Sequence, residues 1–345
     1  MSGLDVWFAL RDWLSMFKGL STVCLTALCC ASLSISESAS AQENPNQPPE
    51  HTLPWPNIAA GQSPEELAQS MTGAPELNRG VPVREIVEQR RRLDAKLAAL
   101  QPQRAGEVDA YVISIALDSD PVFAREARET AQVLSSRYGG QGRTLTLAGP
   151  DGTQNDLPKG SIESLFVALA RIADLMDTDE DVLVLYTTSH GNKLGLAYHY
   201  GDTGYGILSP TRLKSVFEEL GIERRILIIS ACHSGVFVPT LASRDTAILT
   251  ASAAERNSFG CQPENDWTFF GDALINRELR KPQSLSDAAR AAALQIAGWE
   301  TQARLLASLP QSAFGAGVSQ WLPMLEARMP QIASAPVGRP AMTAE

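Results

Sequence analysis

Cys232 and His190 are the two side chains whose types and settings could perform nucleophilic chemistry. A thiolate is a strong nucleophile, and an imidazole can gain or lose a proton near neutral pH. Each residue follows a short apolar run: residues 182–186 lead through three hydroxyl residues to His190, and residues 226–229 lead to Cys232. Such runs are typical of strands that are buried on both faces.

A helix is predicted between these two strands. Residues 209–221 begin with Ser209 as an N-cap and Pro210 at the first helical position, carry apolar residues at helical spacing, and end at Gly221. A crossover of this length makes the strands parallel, so both end at the same edge of the sheet, about 4.8 Å apart if they are neighbours. We therefore expect the imidazole and the thiol to lie close together, where open parallel sheets place their chemistry.

This arrangement resembles a known clan of enzymes. A buried strand ending in His-Gly, followed by one ending in Ala-Cys, resembles the cysteine peptidases of the caspase and legumain clan. Residues 250–261, with Asp266 and Trp267 after them, are similar to the segment that helps to build the primary specificity pocket of legumains. That family also contains the glycosylphosphatidylinositol transamidase subunit. The resemblance covers roughly residues 109–328 and is nearest to bacterial, exported members.

The resemblance implies roles for three residues at the reaction centre. Cys232 would be the nucleophile, His190 would protonate the leaving amine, and the backbone N–H groups of Gly191 and Cys232 would hold the oxyanion. Fixed dipoles at the point where charge develops are what such a reaction needs. Gly191 has no side chain to block the approach of a substrate.

The resemblance also implies a substrate pocket for asparagine. Legumains bind the asparagine side chain with an arginine, an acidic residue two positions before the cysteine, a serine and an aspartate. The chain matches at Arg125, Ser258 and Asp266, but Ser230 replaces the acidic residue and Glu126 stands where a histidine follows the arginine. We expect cleavage after Asn, with Asp increasingly accepted as its carboxyl, of unperturbed pKa about 3.9, becomes protonated.

Several alternatives remain open. The same acyl-enzyme could pass its acyl group to an amine, as in a transamidase or ligase. The Cys232-His233-Ser234-Gly235 motif resembles metacaspases, which cut after Arg or Lys, and an inactive homologue could bind peptides without cutting them. Cys232 and His233 could hold zinc only with two further ligands, and a disulfide could join Cys232 to Cys261. We expect no metal and no cofactor.

Composition and the N-terminal sequence indicate the compartment and the partners. The formal net charge of −10 argues against nucleic acid as a partner, so the expected partner is a peptide or protein substrate. The sequence leaves the oligomeric state of the chain itself open. Lys18, the apolar residues 19–33 and the Ala39-Ser40-Ala41 sequence predict a cleaved export signal, a periplasmic or secreted protein and no stable membrane anchor after cleavage; a retained anchor is the alternative.

Alternating strands and helices predict an α/β protein with a caspase-like, doubly wound, mostly parallel sheet of about six strands and helices on both faces. An edge strand is predicted within residues 312–319, His51 and His199 are expected on the surface, and the acidic run at 177–181 is interpreted as a solvated turn. The predicted parts are a signal peptide (1–41), a flexible linker (42–62), a helical segment (63–108), the peptidase domain (109–330) and a loose tail (331–345).

Overall fold

Ten strands and eight α-helices form the part of the chain that a computed structural model describes, residues 44–342. The predicted signal peptide lies outside these residues. The strands are β1 (Glu76–Asn78), β2 (Ala110–Ala116), β3 (Thr144–Leu147), β4 (Val182–Thr188), β5 (Gly191–Asn192), β6 (Gly195–Tyr200), β7 (Gly204–Leu208), β8 (Arg225–Ser230), β9 (Thr246–Thr250) and β10 (Gln311–Phe314). The helices are α1 (Pro64–Thr72), α2 (Val83–Ala98), α3 (Pro121–Tyr138), α4 (Ile162–Ala173), α5 (Pro210–Glu219), α6 (Val238–Leu241), α7 (Leu285–Gln302) and α8 (Val318–Glu326).

Six strands form the main sheet, in the order β10-β9-β8-β4-β2-β3. The four pairings among the strands β9, β8, β4, β2 and β3 are parallel, and only β10 runs antiparallel, at the edge beside β9. The prediction of a mostly parallel sheet of about six strands is therefore confirmed. The edge strand was placed slightly too late in the sequence, because it ends at Phe314 and residues from Val318 onward form α8.

Alternation along each buried strand supplies two hydrophobic cores. In β2, Tyr111, Ile113 and Ile115 face one core, while Ala110 and Val112 face the other. Helices α4 and α5 contribute to the first core, and α3, α7 and α8 contribute to the second. The sheet is thus covered on both faces, which explains why its strands are continuous apolar runs.

A second, four-stranded sheet was not predicted. Its order is β1-β7-β6-β5, with antiparallel pairing throughout. Gly191, Gly195 and Gly204 open three of these short strands, and glycine-rich strands give little periodic signal in a sequence. Because β5 begins at Gly191, this sheet starts from the residue that follows His190.

Two further segments have features that the sequence did not predict. Residues Gly271–Glu278 wind as a π-helix, with Leu279 N–H bonded to the Leu274 carbonyl five residues earlier. The predicted solvated turn at 177–181 contains a fully buried Asp181, whose carboxylate accepts from the Asp109 N–H at 2.7 Å. The Asp181 carboxylate thus joins the residues just before β4 and β2, so the prediction of a solvated turn is wrong for Asp181.

Two segments predicted to be loose make specific contacts. The described part of the linker, residues 44–62, contains no helix or strand. Its Pro49 carbonyl nevertheless accepts a hydrogen bond from the Ser119 hydroxyl at 2.9 Å. The backbone N–H groups of Thr52 and Leu53 donate to the Asp202 carboxylate at 2.9 and 2.8 Å. In the tail, Val337 bonds to Trp267 and Asn276 through its backbone, each at 2.9 or 3.0 Å. Both segments are therefore held against the domain.

Among the helices of residues 44–342, none is long and apolar enough to cross a membrane.

Candidate active site

The parallel pairing of β4 with β8 brings the two predicted reactive residues to one edge of the sheet. Thr188, the last residue of β4, lies opposite Ser230, the last residue of β8. His190 and Cys232 each lie two residues further along the chain. The Ser189 N–H donates to the Ser230 carbonyl at 3.2 Å, which continues the pairing up to the site. The geometry therefore places the imidazole and the thiol on neighbouring turns.

Gly191 packs so closely against Cys232 that no larger residue fits. A Cβ atom built on Gly191 would lie 2.3 Å from the Cys232 carbonyl oxygen and 3.0 Å from the Ala231 Cβ. Real side chains do not approach a backbone oxygen this closely. The His190-Gly191 turn and the residue bearing the thiol are thus in direct backbone contact.

The Cys232 thiol lies against the 250–261 segment. Its Sγ accepts from the Ser258 N–H at 3.3 Å and lies 3.4 Å from the Ser258 carbonyl oxygen. Burial raises the pKa of Cys232, which the Ser258 hydrogen bond and the charge of His190 partly oppose. No hydrogen bond joins Cys232 to His190 among the described residues; hydrogen bonds between reactive side chains often shorten only when a ligand binds.

The following residue, His233, has a left-handed backbone with φ of 56°. This conformation is costly for a residue with a side chain. The His233 imidazole Nδ1 lies 2.9 Å from the Ala254 carbonyl oxygen, and the backbone N–H of His233 donates to the Arg256 carbonyl at 2.8 Å. These bonds turn the chain sharply after Cys232, and neither Cys232 nor His233 belongs to a group of described residues that could hold a metal ion.

Asp120 is a site residue that sequence reasoning missed. It is the N-cap of α3, and its carboxylate lies 3.4 Å from the His190 Nε2. Burial alone would lower the pKa of His190, but the hydrogen bonds with Asp120 and with the thiol of Cys261 raise it to about 11. The imidazole therefore keeps its proton at neutral pH and is ready to donate it. An Asp before a proline at a helix start is a common cap, so the sequence carried no distinctive signal.

Cys261 is the second cysteine at the site. It packs beside a small hydrophobic cluster that includes Phe123, whose ring meets the His190 ring edge-on at a centroid distance of 5.1 Å. Both Cys232 and Cys261 are free thiols in the structure.

Arg125 and Asp266, two residues of the predicted substrate pocket, form an ion pair. The Arg125 Nε lies 3.2 Å from the Asp266 Oδ1, and each side chain is 24% exposed. Arg125 also donates to the backbone carbonyl of Asn265. A guanidinium and a carboxylate fixed side by side and reachable from solvent offer one donor and one acceptor to a ligand.

Ser230 does not share this exposure. It is 1% exposed and its hydroxyl lies 3.1 Å from that of Thr268. Glu126, the residue after Arg125, lies in the same buried region, where its carboxylate accepts from the Thr268 N–H at 2.7 Å and the Thr188 hydroxyl at 2.8 Å. Burial raises the pKa of Glu126, and these donors oppose the rise. Glu126 of α3 thus brings a carboxyl group to Thr268, the residue that Ser230 also contacts.

The tail reaches the exposed edge of the Arg125–Asp266 pair. The Arg339 N–H donates to the Asp266 Oδ2 at 2.7 Å, and its guanidinium lies 3.6 Å from the same oxygen. A Cβ on Gly338 would lie 3.1 Å from the Asp266 side chain. The tail therefore occupies one acceptor oxygen of the pair.

The remaining histidines are not surface residues, which corrects the expectation for His51 and His199. Their rings stack at a centroid distance of 3.5 Å, and the side chains are only 20% and 15% exposed. The His51 Nε2 lies 3.1 Å from the fully buried Asp118 carboxylate. Burial would lower the pKa of His51, but the bond and charge of Asp118 raise it. Two overlapping groups could hold a divalent cation here: His51, Asp118 and His199, and Asp118, Asp120 and His190.

A family comparison decides what the site belongs to. The model of the peptidase C13 family matches residues 164–312, a range that contains His190, Gly191 and Cys232 together with the Ser258 and Asp266 of the pocket. Over these residues the chain matches the legumain-type cysteine peptidase family. The chain is accordingly a cysteine-type endopeptidase whose substrates are peptides or proteins.

The match leaves out the N-terminal elements through β3, so Asp120 and Arg125 lie outside it. A solved structure, caspase-1 from Spodoptera frugiperda, is similar to the chain with 16% sequence identity and a TM-score of 0.42. The similarity covers 62% of this chain and 88% of that one. No curated protein matches the sequence.

Proposed function

We propose that this peptidase hydrolyses peptide bonds through Cys232 and His190. The Cys232 thiolate attacks the scissile carbonyl carbon, and the carbonyl oxygen gains a negative charge that the N–H groups of Gly191 and Cys232 stabilise. The C–N bond then breaks, and the leaving amine takes the proton of His190. Water hydrolyses the resulting thioester and releases the acid. The observation that supports this proposal most strongly is the backbone contact between Gly191 and Cys232, which joins both reactive turns.

The proposed specificity is for Asn, with Asp accepted at acid pH. The Arg125 guanidinium can donate to the carbonyl oxygen of an asparagine side chain, and the Asp266 carboxylate can accept from its amide. The 3.2 Å ion pair supports this role because it fixes both groups side by side. A substrate amide would replace the Arg339 N–H on Asp266.

We predict that kcat/KM for Asp peptides relative to Asn peptides rises as pH falls from 8 to 5. Asp266 repels an ionised aspartate, and the protonated side chain resembles an amide in shape. In Asp266→Asn this repulsion is absent, so the Asp share at pH 8 should increase by at least about tenfold. Matched peptides that differ only in that residue, assayed across this pH range, provide the measurement.

The control is Asp156→Asn, whose carboxylate is 61% exposed and pairs with Arg128 rather than with Arg125. It should leave the Asp-to-Asn ratio unchanged. A parent enzyme that cleaves after Arg or Lys would contradict the Asn assignment and favour the metacaspase interpretation. Product analysis by mass, with and without an added amine, separates hydrolysis from the ligase alternative.

We predict that Asp120→Asn moves the alkaline limb of the kcat/KM profile to lower pH. The imidazolium of His190 is the proposed acid, and Asp120 helps to hold its pKa near 11. Loss of that negative charge lowers the pKa of His190 by roughly one unit or more, so the proton is lost at lower pH. The ascending limb follows Cys232, whose pKa is raised, and should stay in place.

A matched control is Asp94→Asn, which removes an exposed carboxylate paired with Arg90 on α2. Its profile should superimpose on that of the parent. An Asp120→Asn profile that also superimposes would show that Asp120 does not tune His190.

A further inference from the structure

A cavity beside His190 is not used by the chemistry described so far. It measures about 770 Å³ and touches both His190 and Gly191. Most of its other lining residues are apolar, among them Trp55, Ile58, Leu67, Met71, Leu194 and Ile207, and the polar ones include Asp118 and His199. Arg125 and Asp266 are not among its walls, so this cavity is separate from the pocket proposed for asparagine.

One wall comes from the N-terminal segment, outside the residues that the family model matches. The segment is fixed to the domain by the His51–Asp118 contact at 3.1 Å and by the Trp55 ring, which meets the rings of His199 and Tyr205 at 5.0 and 5.5 Å. These contacts fix the position of this wall without a substrate.

Helix α1 is fixed as firmly. Ser63 caps it in a capping box with Glu66, and Met71 packs with Ala197 and Ile207 on the second sheet. Three apolar side chains that line the cavity remain in contact with solvent: Leu67 of α1 is 37% exposed, Trp55 is 40% exposed and Leu194 is 44% exposed. Apolar surface of this kind beside a reactive site gains free energy when a ligand covers it.

The direction of the reaction assigns the occupant. His190 gives its proton to the leaving amine, so the residue that carries this amine must lie beside His190. The cavity borders His190 and Gly191, whereas the thiol lies against Ser258 in the segment of the asparagine pocket. We propose that the cavity binds the side chain of the residue just after the scissile bond, and that it selects a bulky apolar residue such as Leu or Phe. This inference rests on the proposed function.

Charge adds a second basis for selection. Asp118 lies in the cavity wall, and Asp120 lies within 3.8 Å of the neighbouring His51. An acidic side chain in the cavity would lose its water against mostly apolar walls, and these carboxylates would oppose its attraction to the His190 imidazolium. Glu after the scissile bond should therefore be the poorest substrate.

Quenched peptides that differ only in the residue after the cleaved Asn test this proposal. We expect kcat/KM for Leu to exceed that for Ala by roughly tenfold and that for Glu by more. Leu67→Asp should remove most of the Leu advantage, because it places a charge on the apolar wall. Leu294→Asp, which changes an equally apolar residue that is 71% exposed on α7, should retain it.

The labelling rate with an asparaginyl chloromethyl ketone reports on the rest of the machinery, because this reagent carries no residue after the reacting carbon. An unchanged labelling rate in Leu67→Asp with a lost Leu advantage supports the proposal. Equal kcat/KM for Leu, Ala and Glu in a parent enzyme that cleaves and is labelled would overturn it. A parent enzyme that neither cleaves the peptides nor reacts with the label would instead overturn the proposed function.

Discussion

Cys232→Ala and His190→Ala should each reduce peptide turnover by at least about 10⁴-fold. The first removes the nucleophile, and the second removes the acid that protonates the leaving amine. The two losses should not add in the double variant, because both residues serve the same acyl-transfer step. Active-site-titrated kinetics on an Asn peptide measure all three variants.

Cys261→Ala is the matched cysteine control. It removes a thiol of similar burial that contacts His190 but does not follow a sheet strand or adjoin Gly191. Turnover should stay within about tenfold of the parent, since only the tuning of His190 changes. Turnover that survives in Cys232→Ala but is lost in Cys261→Ala would reverse the assignment of the nucleophile.

Gly191→Ala should lower kcat by about 10²- to 10³-fold, the usual cost of losing one oxyanion donor. The new methyl group would lie 2.3 Å from the Cys232 carbonyl oxygen, so the turn must move and carry its N–H away. Thermal unfolding should also occur at lower temperature, because the displaced turn begins β5. Kinetics and calorimetry on the same preparation measure both effects.

Gly298→Ala provides the comparison. Gly298 lies within α7, and nothing lies within 4 Å of an added Cβ. Alanine is favoured over glycine in a helix by roughly 0.5 to 1 kcal/mol, so this variant should be slightly more stable and fully active. Normal activity in a folded Gly191→Ala enzyme would show that this N–H does not hold the oxyanion.

The sequence was most informative where burial dictates the pattern. The runs at 182–186 and 226–229 are apolar because helices cover both faces of the sheet, and parallel strands must end at one edge. These two constraints place His190 and Cys232 on neighbouring turns without any knowledge of side-chain contacts. The prediction needed only element types and their order.

The residues that tune the site were not predictable in this way. Asp120 contacts His190 across 70 positions of sequence, and its signal is that of an ordinary helix cap. The Arg339 contact with Asp266 and the wall formed by Trp55 come from segments without regular periodicity, whose composition resembles that of linkers. Their positions follow from single hydrogen bonds and ring contacts, which leave no repeating pattern.

The most direct measurement of the central claim is the mass of the peptide that carries the label after inactivation by an asparaginyl acyloxymethyl ketone. The attacking sulfur forms a thioether with the methylene carbon, and the carboxylate leaves. We predict a single adduct on Cys232, formed rapidly in the parent and slowly in His190→Ala. An adduct on Cys261, or no adduct in an enzyme that still cleaves peptides, would contradict the proposed nucleophile.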